Sequence, residues 1–90
     1  MGSTPSGPVV ELVHAPECHL CESARRVIEA VREEIPFELV VTDITDDAAL
    51  EARYREQIPV VIVDGQEAFE HFVHPDGLRR RLQAAQSQSS

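Results

Sequence analysis

Lysine is absent. All eight basic residues are arginine, so no ammonium side chain stands near the cysteines or anywhere else in the chain. Cysteine is scarce as well, with two residues, half of what a four-ligand zinc site needs. His14 and His19 complete such a set on paper, but lie too close along the chain to wrap one tetrahedral centre. His71 and His74 are distant in sequence and read as surface or hairpin residues without a ligand role. No apolar run approaches the ~20 residues of a membrane span. The N-terminus has neither the charged start nor the apolar core of a secretion signal. Positive charge is in deficit too: the formal net charge is -8 and the pI is about 4.8. That balance argues against nucleic acid and anionic membrane surfaces as main partners. The cytoplasm is the expected location, where a C-x-x-C pair is more often catalytic or metal-binding than a structural staple.

What is present fits one domain with one core. Residues 1–7 form a Ser/Gly/Pro-rich leader, expected to be disordered; Gly2 and Ser6 also fit the short, common myristoylation pattern. Residues 87–90 form a similar tail, which leaves 8–86 as the folded unit. "VVELVHA" (Val9 to Ala15) reads as a strand stopped by Pro16. Leu20, Cys21, Ala24, Val27, Ile28, Val31 and Ile35 recur at spacings of three and four, the apolar stripe of a helix ended by Pro36. Glu22–Arg26 and Arg25–Glu29 pairs are expected on its outer side. "FELVVTD" (Phe37 to Asp43) is a second strand. Thr45, Asp46 and Asp47 offer caps for a shorter helix through Glu56, with Leu50 and Tyr54 on one face. "IPVVIV", the turn Asp64-Gly65 and "QEAFEHFV" make a hairpin. Asp76 is a candidate cap for a last helix carrying Leu78 and Leu82. The order β-α-β-α-β-β-α gives an α/β fold, with a parallel crossover first and an antiparallel hairpin last. Val60 to Val63 shows no polar face, so helices must cover both sides of the sheet.

The chemistry concentrates in "HAPECHLCESA". Cys18 falls where the first loop enters the helix, and Cys21 lies one turn further in. Residues three apart there share a face, so their sulfurs can close a disulfide. Unpaired N–H groups and the positive end of the helix dipole favour a thiolate at Cys18. In such motifs the thiol pKa falls from ~8.5 toward ~3.5–7.5. Cys18 is the candidate nucleophile, and Cys21, continuous with the apolar stripe, the candidate resolving thiol. His19, between them, would stabilise the thiolate if cationic, whereas Glu17 and Glu22 push the other way. The competing readings are two inert core cysteines, a regulatory pair, and ligands of an iron–sulfur cluster shared between two chains.

Three stretches together, "VVELVHAPECHLCESA", "YREQIPVVIVDG" and "HPDGLRRRL", resemble the small glutaredoxin-like proteins of the thioredoxin superfamily, from about Val9 to Leu82. The resemblance implies a thioredoxin fold with sheet order 2-1-3-4 and the third strand antiparallel to the first. It implies a cis Pro59 facing the cysteines, and an Ile58 whose free backbone groups pair with a bound substrate strand. Asp76 loosely matches an aspartate that caps the last helix and meets the glutathione amino group. The implied activity is thiol–disulfide exchange on protein or mixed disulfides by a monomer with no tightly bound cofactor. Glutathione, another low-molecular-weight thiol or a flavin reductase would supply the electrons. The chain departs from the family pattern in enclosing His19-Leu20 instead of Pro-Tyr and in having no Gly-Gly before the last helix. Leu12 falls near the place where thioredoxins bury an aspartate, leaving Glu11 and His14 as nearby alternatives. Arg79 to Arg81 point ~100° apart on a helix and read as a solvated face, with steering of an acidic tripeptide as the alternative.

Overall fold

The computed structural model describes residues 8–88. The Gly2/Ser6 pattern and the whole 1–7 leader lie outside them, as do 89 and 90 of the expected tail. Seven elements follow in the expected order: β1 (Val9–His14), α1 (His19–Glu34), β2 (Glu38–Asp43), α2 (Ala48–Tyr54), β3 (Val60–Val63), β4 (Gln66–Glu70) and α3 (Pro75–Gln88). The sheet order is β2-β1-β3-β4. β1 runs parallel to β2 and antiparallel to β3, and β3 and β4 are the antiparallel hairpin. This is the thioredoxin-fold topology that the resemblance implies.

Strand alternation divides the core into two layers. Val10, Leu12, Val61 and Val63 face α1 and α3, where they pack with Ala24, Ile28, Val31, Phe37, Val73, Leu78 and Leu82. Val13 and Val60 face the other way, toward Ile44 and Tyr54, with Leu50, Ile58 and Ile62 half-buried around them. Helices therefore cover both faces, but unequally. The stripe expected on α1 supplies Cys21, Ala24, Ile28 and Val31 to the interior. Leu20 is the exception, 42% exposed on the helix's first turn. Of the two expected ion pairs on α1, Arg25–Glu29 forms at 3.1 Å.

Turn chemistry sets the ends. Asp64 and Gly65 both take positive φ (50° and 84°), as a two-residue hairpin turn twisted to match its strands requires. Asp64 also grips the start of β1: its Oδ1 accepts from the Val9 N–H at 2.9 Å, and its own N–H donates to Val9 O. A bulge between Val61 and Ile62 shifts the β3–β4 register. Asp47 caps α2 through the Ala49 N–H at 2.8 Å. The segment before it, Ile44–Asp46, is a separate turn of 3-10 helix, so Asp47 is the one used of the three caps the sequence offers. Its cap is Asp43, whose Oδ1 takes both the amide and the hydroxyl of Thr45, at 2.9 and 2.6 Å. Those bonds hold the Asp43 carboxyl below its ordinary pKa, the hydroxyl contributing most.

The last helix corrects two expectations. It starts at Pro75 and runs to Gln88, into the stretch read as tail. Proline suits the first helical position because its missing N–H would be unpaired there anyway. Asp76 is therefore inside the first turn rather than capping it, and the His74 carbonyl accepts the first helical bond, from Leu78 N–H at 2.9 Å. Arg79 explains the charge pattern: it binds Asp76 at 2.7 Å and Glu34 at 2.7 Å, fastening α3 to the end of α1. Arg81 donates to Gln66 Oε1 at 3.0 Å. Two of the three consecutive arginines thus bind neighbouring elements of the fold.

Candidate functional site

The chain leaves β1 at His14, passes Ala15 and Pro16, and enters α1 through Glu17 and Cys18. Glu17 takes φ 60°, a left-handed conformation uncommon for a residue with a long side chain. Cys18 then stands in extended conformation as the N-cap of α1. Its Sγ accepts from the Cys21 N–H at 3.1 Å, and its carbonyl accepts from the Glu22 N–H at 3.1 Å. A sulfur thus fills the place that serine or aspartate usually takes at a helix start, satisfying one of the orphan donors. Cys21 is 3% exposed and belongs to the buried side of α1. The two cysteines form a disulfide, with Cα atoms 5.2 Å apart.

Cys18 opens onto a groove of about 520 Å³ lined by Ala15, Pro16, Glu17, Cys18, Ile44, Thr45, Glu51, Arg55 and Ile58. The lining is mixed: Ile44 and Ile58 are apolar, Glu17 and Glu51 anionic, and Arg55 is the one cation. Across the groove the Ile58–Pro59 peptide is cis, and Pro59 is among the fully buried residues. The expectation of free backbone groups at Ile58 needs correction. Its N–H donates to Tyr54 O at 3.1 Å, beside the Gln57 N–H at 2.8 Å on the same carbonyl. The C-terminal end of α2 thus occupies the donor that the resemblance left for substrate.

These features sit on a recognisable fold. The glutaredoxin-like domain family (DUF836) matches residues 9–83. A protein from X. campestris, solved by X-ray crystallography, is 31% identical and superposes with a TM-score of 0.72, covering 84% of this chain and 97% of its own. The chain belongs to the glutaredoxin-like DUF836 family. A second structure, protein Ne2328 from Nitrosomonas europaea, is 23% identical with a TM-score of 0.74, covering 91% of this chain and 99% of that one. A thioredoxin from Halobacterium salinarum, at 20% identity and a TM-score of 0.67, covers 88% of this chain and 74% of its own. At that distance the likeness is one of fold.

In this glutaredoxin-like domain the remaining candidate residues fall in distinct places. His19 is exposed at the start of α1, and among the described residues no hydrogen bond joins it to either sulfur. Asp76 is engaged by Arg79 and is not among the groove residues. Leu12 is buried beneath α1 in the larger layer, and no polar or charged residue is buried among those described. Glu11 cannot substitute for a buried acid, since it alternates onto the sheet face opposite Leu12. There its Oε2 accepts from the Thr42 hydroxyl at 2.6 Å. Among the described residues no group of three or more His, Cys, Asp or Glu side chains could hold a metal ion.

Beyond the loop residues Ala15, Pro16 and Glu17, which flank the cysteine motif, the groove takes four residues the sequence does not mark as site residues: Ile44, Thr45, Glu51 and Arg55. They sit on α2, at its C-cap and on the turn before it, so only the crossover brings them to Cys18. Arg55 in "YREQIP" had a signal, a cation four residues before the cis proline Pro59. Thr45 had only a capping signal, and Ile44 and Glu51 had none.

Proposed function

We propose that this glutaredoxin-like domain is a dithiol–disulfide oxidoreductase acting on protein or mixed disulfides through Cys18 and Cys21. The observation that supports this best is the asymmetry of the pair. Cys18 caps α1 at the mouth of a groove, whereas Cys21 is buried one turn behind it. In the reduced protein the Cys21 N–H and the positive end of α1 face a sulfur at Cys18, which favours the thiolate.

The Cys18 thiolate attacks one sulfur of the substrate disulfide. The S–S bond breaks, the first substrate thiolate leaves and takes a proton from water, and a mixed disulfide remains on Cys18. Cys21 then loses its proton and attacks Cys18 Sγ, expelling the second substrate thiolate and closing the Cys18–Cys21 disulfide. Two electrons have passed from the dithiol to the substrate. A low-molecular-weight thiol such as glutathione, or a flavin reductase, returns them. No cofactor needs to be bound for any step, and a monomer in the cytoplasm suffices.

Two details of the site refine the mechanism. With no acid buried beneath the sulfurs among the described residues, the Cys21 proton leaves to water or to the departing substrate thiolate. Burial among apolar residues raises a thiol pKa, so the second step should quicken with rising pH. Because the Ile58 N–H is already used, substrate pairing there falls to the Ile58 carbonyl, with Ile44 and Ile58 supplying apolar contact. The test is disulfide reduction with a dithiol donor. Cys18→Ser should abolish turnover, a loss of at least about 10³-fold, and undiminished turnover would sink the reading.

A further inference from the structure

His71, just after β4, takes a positive φ, uncommon outside glycine although histidine enters it more readily than most residues. Its φ is 69°, in the left-handed region that glycine enters freely and other residues enter uncommonly. The residue is exposed, so packing does not hold it there. Two hydrogen bonds do. The His71 N–H donates to Pro59 O at 2.8 Å, and ring Nε2 lies 2.9 Å from Glu56 O. A carbonyl can only accept, so Nε2 carries a proton in this contact. Both bonds land on the Glu56–Pro59 segment, which contains the groove residue Ile58.

That segment has its other anchor on α2, where Tyr54 O accepts from the Gln57 and Ile58 N–H groups. His71 thus closes a two-sided clamp: one side is the end of α2, the other a single exposed histidine. If only the backbone turn mattered, glycine would serve there with less strain. The ring has one recorded hydrogen bond among the described residues, and it goes to this segment.

We infer that His71 is a positioning residue, whose ring fixes the Glu56–Pro59 segment that carries Ile58 into the groove shared with Cys18. This rests on the oxidoreductase reading for its consequence in catalysis, but not for the clamp itself. Losing the ring should loosen substrate docking while leaving the chemistry at sulfur intact.

Two variants test this in the whole chain. His71→Gly removes the ring and keeps the backbone conformation; His71→Gln returns an N–H donor at comparable reach. Expected for His71→Gly is a KM for a protein disulfide raised about three- to tenfold, the scale of one hydrogen bond. Its kcat should stay within about twofold and the reduction potential of the cysteine pair unchanged. Amide exchange at Gln57 and Ile58 should quicken by a similar factor, with β1 and α1 amides unaffected, and His71→Gln should recover most of both effects. Unchanged KM and exchange in His71→Gly would overturn the inference. So would faster exchange throughout the sheet, which would make the ring a folding element, and so would failure of His71→Gln to restore either readout. Should the wild-type chain reduce no disulfide at all, the oxidoreductase reading falls, and the exchange comparison still decides the clamp.

Discussion

The two layers of this domain differ in depth, and the cysteine pair straddles the difference. Against α1 and α3 the sheet buries a cluster of eleven side chains; against α2 it buries four. Cys21 belongs to the helix rooted in the deep layer, whereas the groove at Cys18 is walled by α2 and the turn before it. One sulfur is thus held by a well-packed platform, and the other faces a surface thin enough to stay open. The contrast suggests a division of labour in which the deep layer carries stability and the shallow one carries recognition.

The largest expected effect lies in the deep layer. Ile28 is fully buried there, and Ile28→Ala should cost about 2–5 kcal/mol, read from the urea midpoint. That is a large share of the ~5–15 kcal/mol typical of a domain. Substrate KM, measured on the folded protein, should hardly move. A large KM change with little loss of stability would break the division of labour. In the shallow layer Asp47→Ala removes the α2 cap and should cost about 1 kcal/mol. Because α2 carries Glu51 toward the groove and ends beside Arg55, this variant should also raise KM.

Smaller still, Arg55→Gln should leave stability within about 0.5 kcal/mol. It should raise KM for an anionic disulfide about two- to threefold, an effect that salt erases. The smallest effect is far from the site, where Arg79 joins α3 to α1. Its hydrogen bond to Glu34 holds that carboxyl below the ordinary value of 4.5. A carboxyl depressed in the folded state adds stability above its unfolded pKa, and that stability fades as pH falls through the folded value. Denaturation midpoints should therefore decline slightly below about pH 4.5 in the wild type, and less in Glu34→Gln.

The deep layer was largely legible in the sequence. The α1 stripe, the run Val60–Val63 and the pair Leu78/Leu82 announce burial through their spacing, and Asp64-Gly65 announces its turn. The shallow layer was not, because its parts carry weak local signals. Thr45, Asp46 and Asp47 all look like caps, so the turn Ile44–Asp46 merged into α2 and buried Ile44 went unnoticed. Asp76 failed as a cap for a related reason: Pro75 beside it is an equally good start, and the partner that claims its carboxylate, Arg79, also reaches Glu34 across the fold. The cysteine pair and Pro59 were readable from motif and resemblance. The Tyr54 carbonyl that occupies the Ile58 N–H, and the His71 ring on Glu56, depend on tertiary contacts that no spacing encodes.

The central claim is that Cys18 attacks and Cys21 resolves. Mass spectrometry of trapped mixed disulfides tests it most directly. Cys21→Ser, treated with a peptide disulfide, should accumulate one peptide on Cys18. Cys18→Ser should accumulate almost none, because Cys21 is buried. Equal labelling of both variants, or labelling confined to Cys21, would contradict the account.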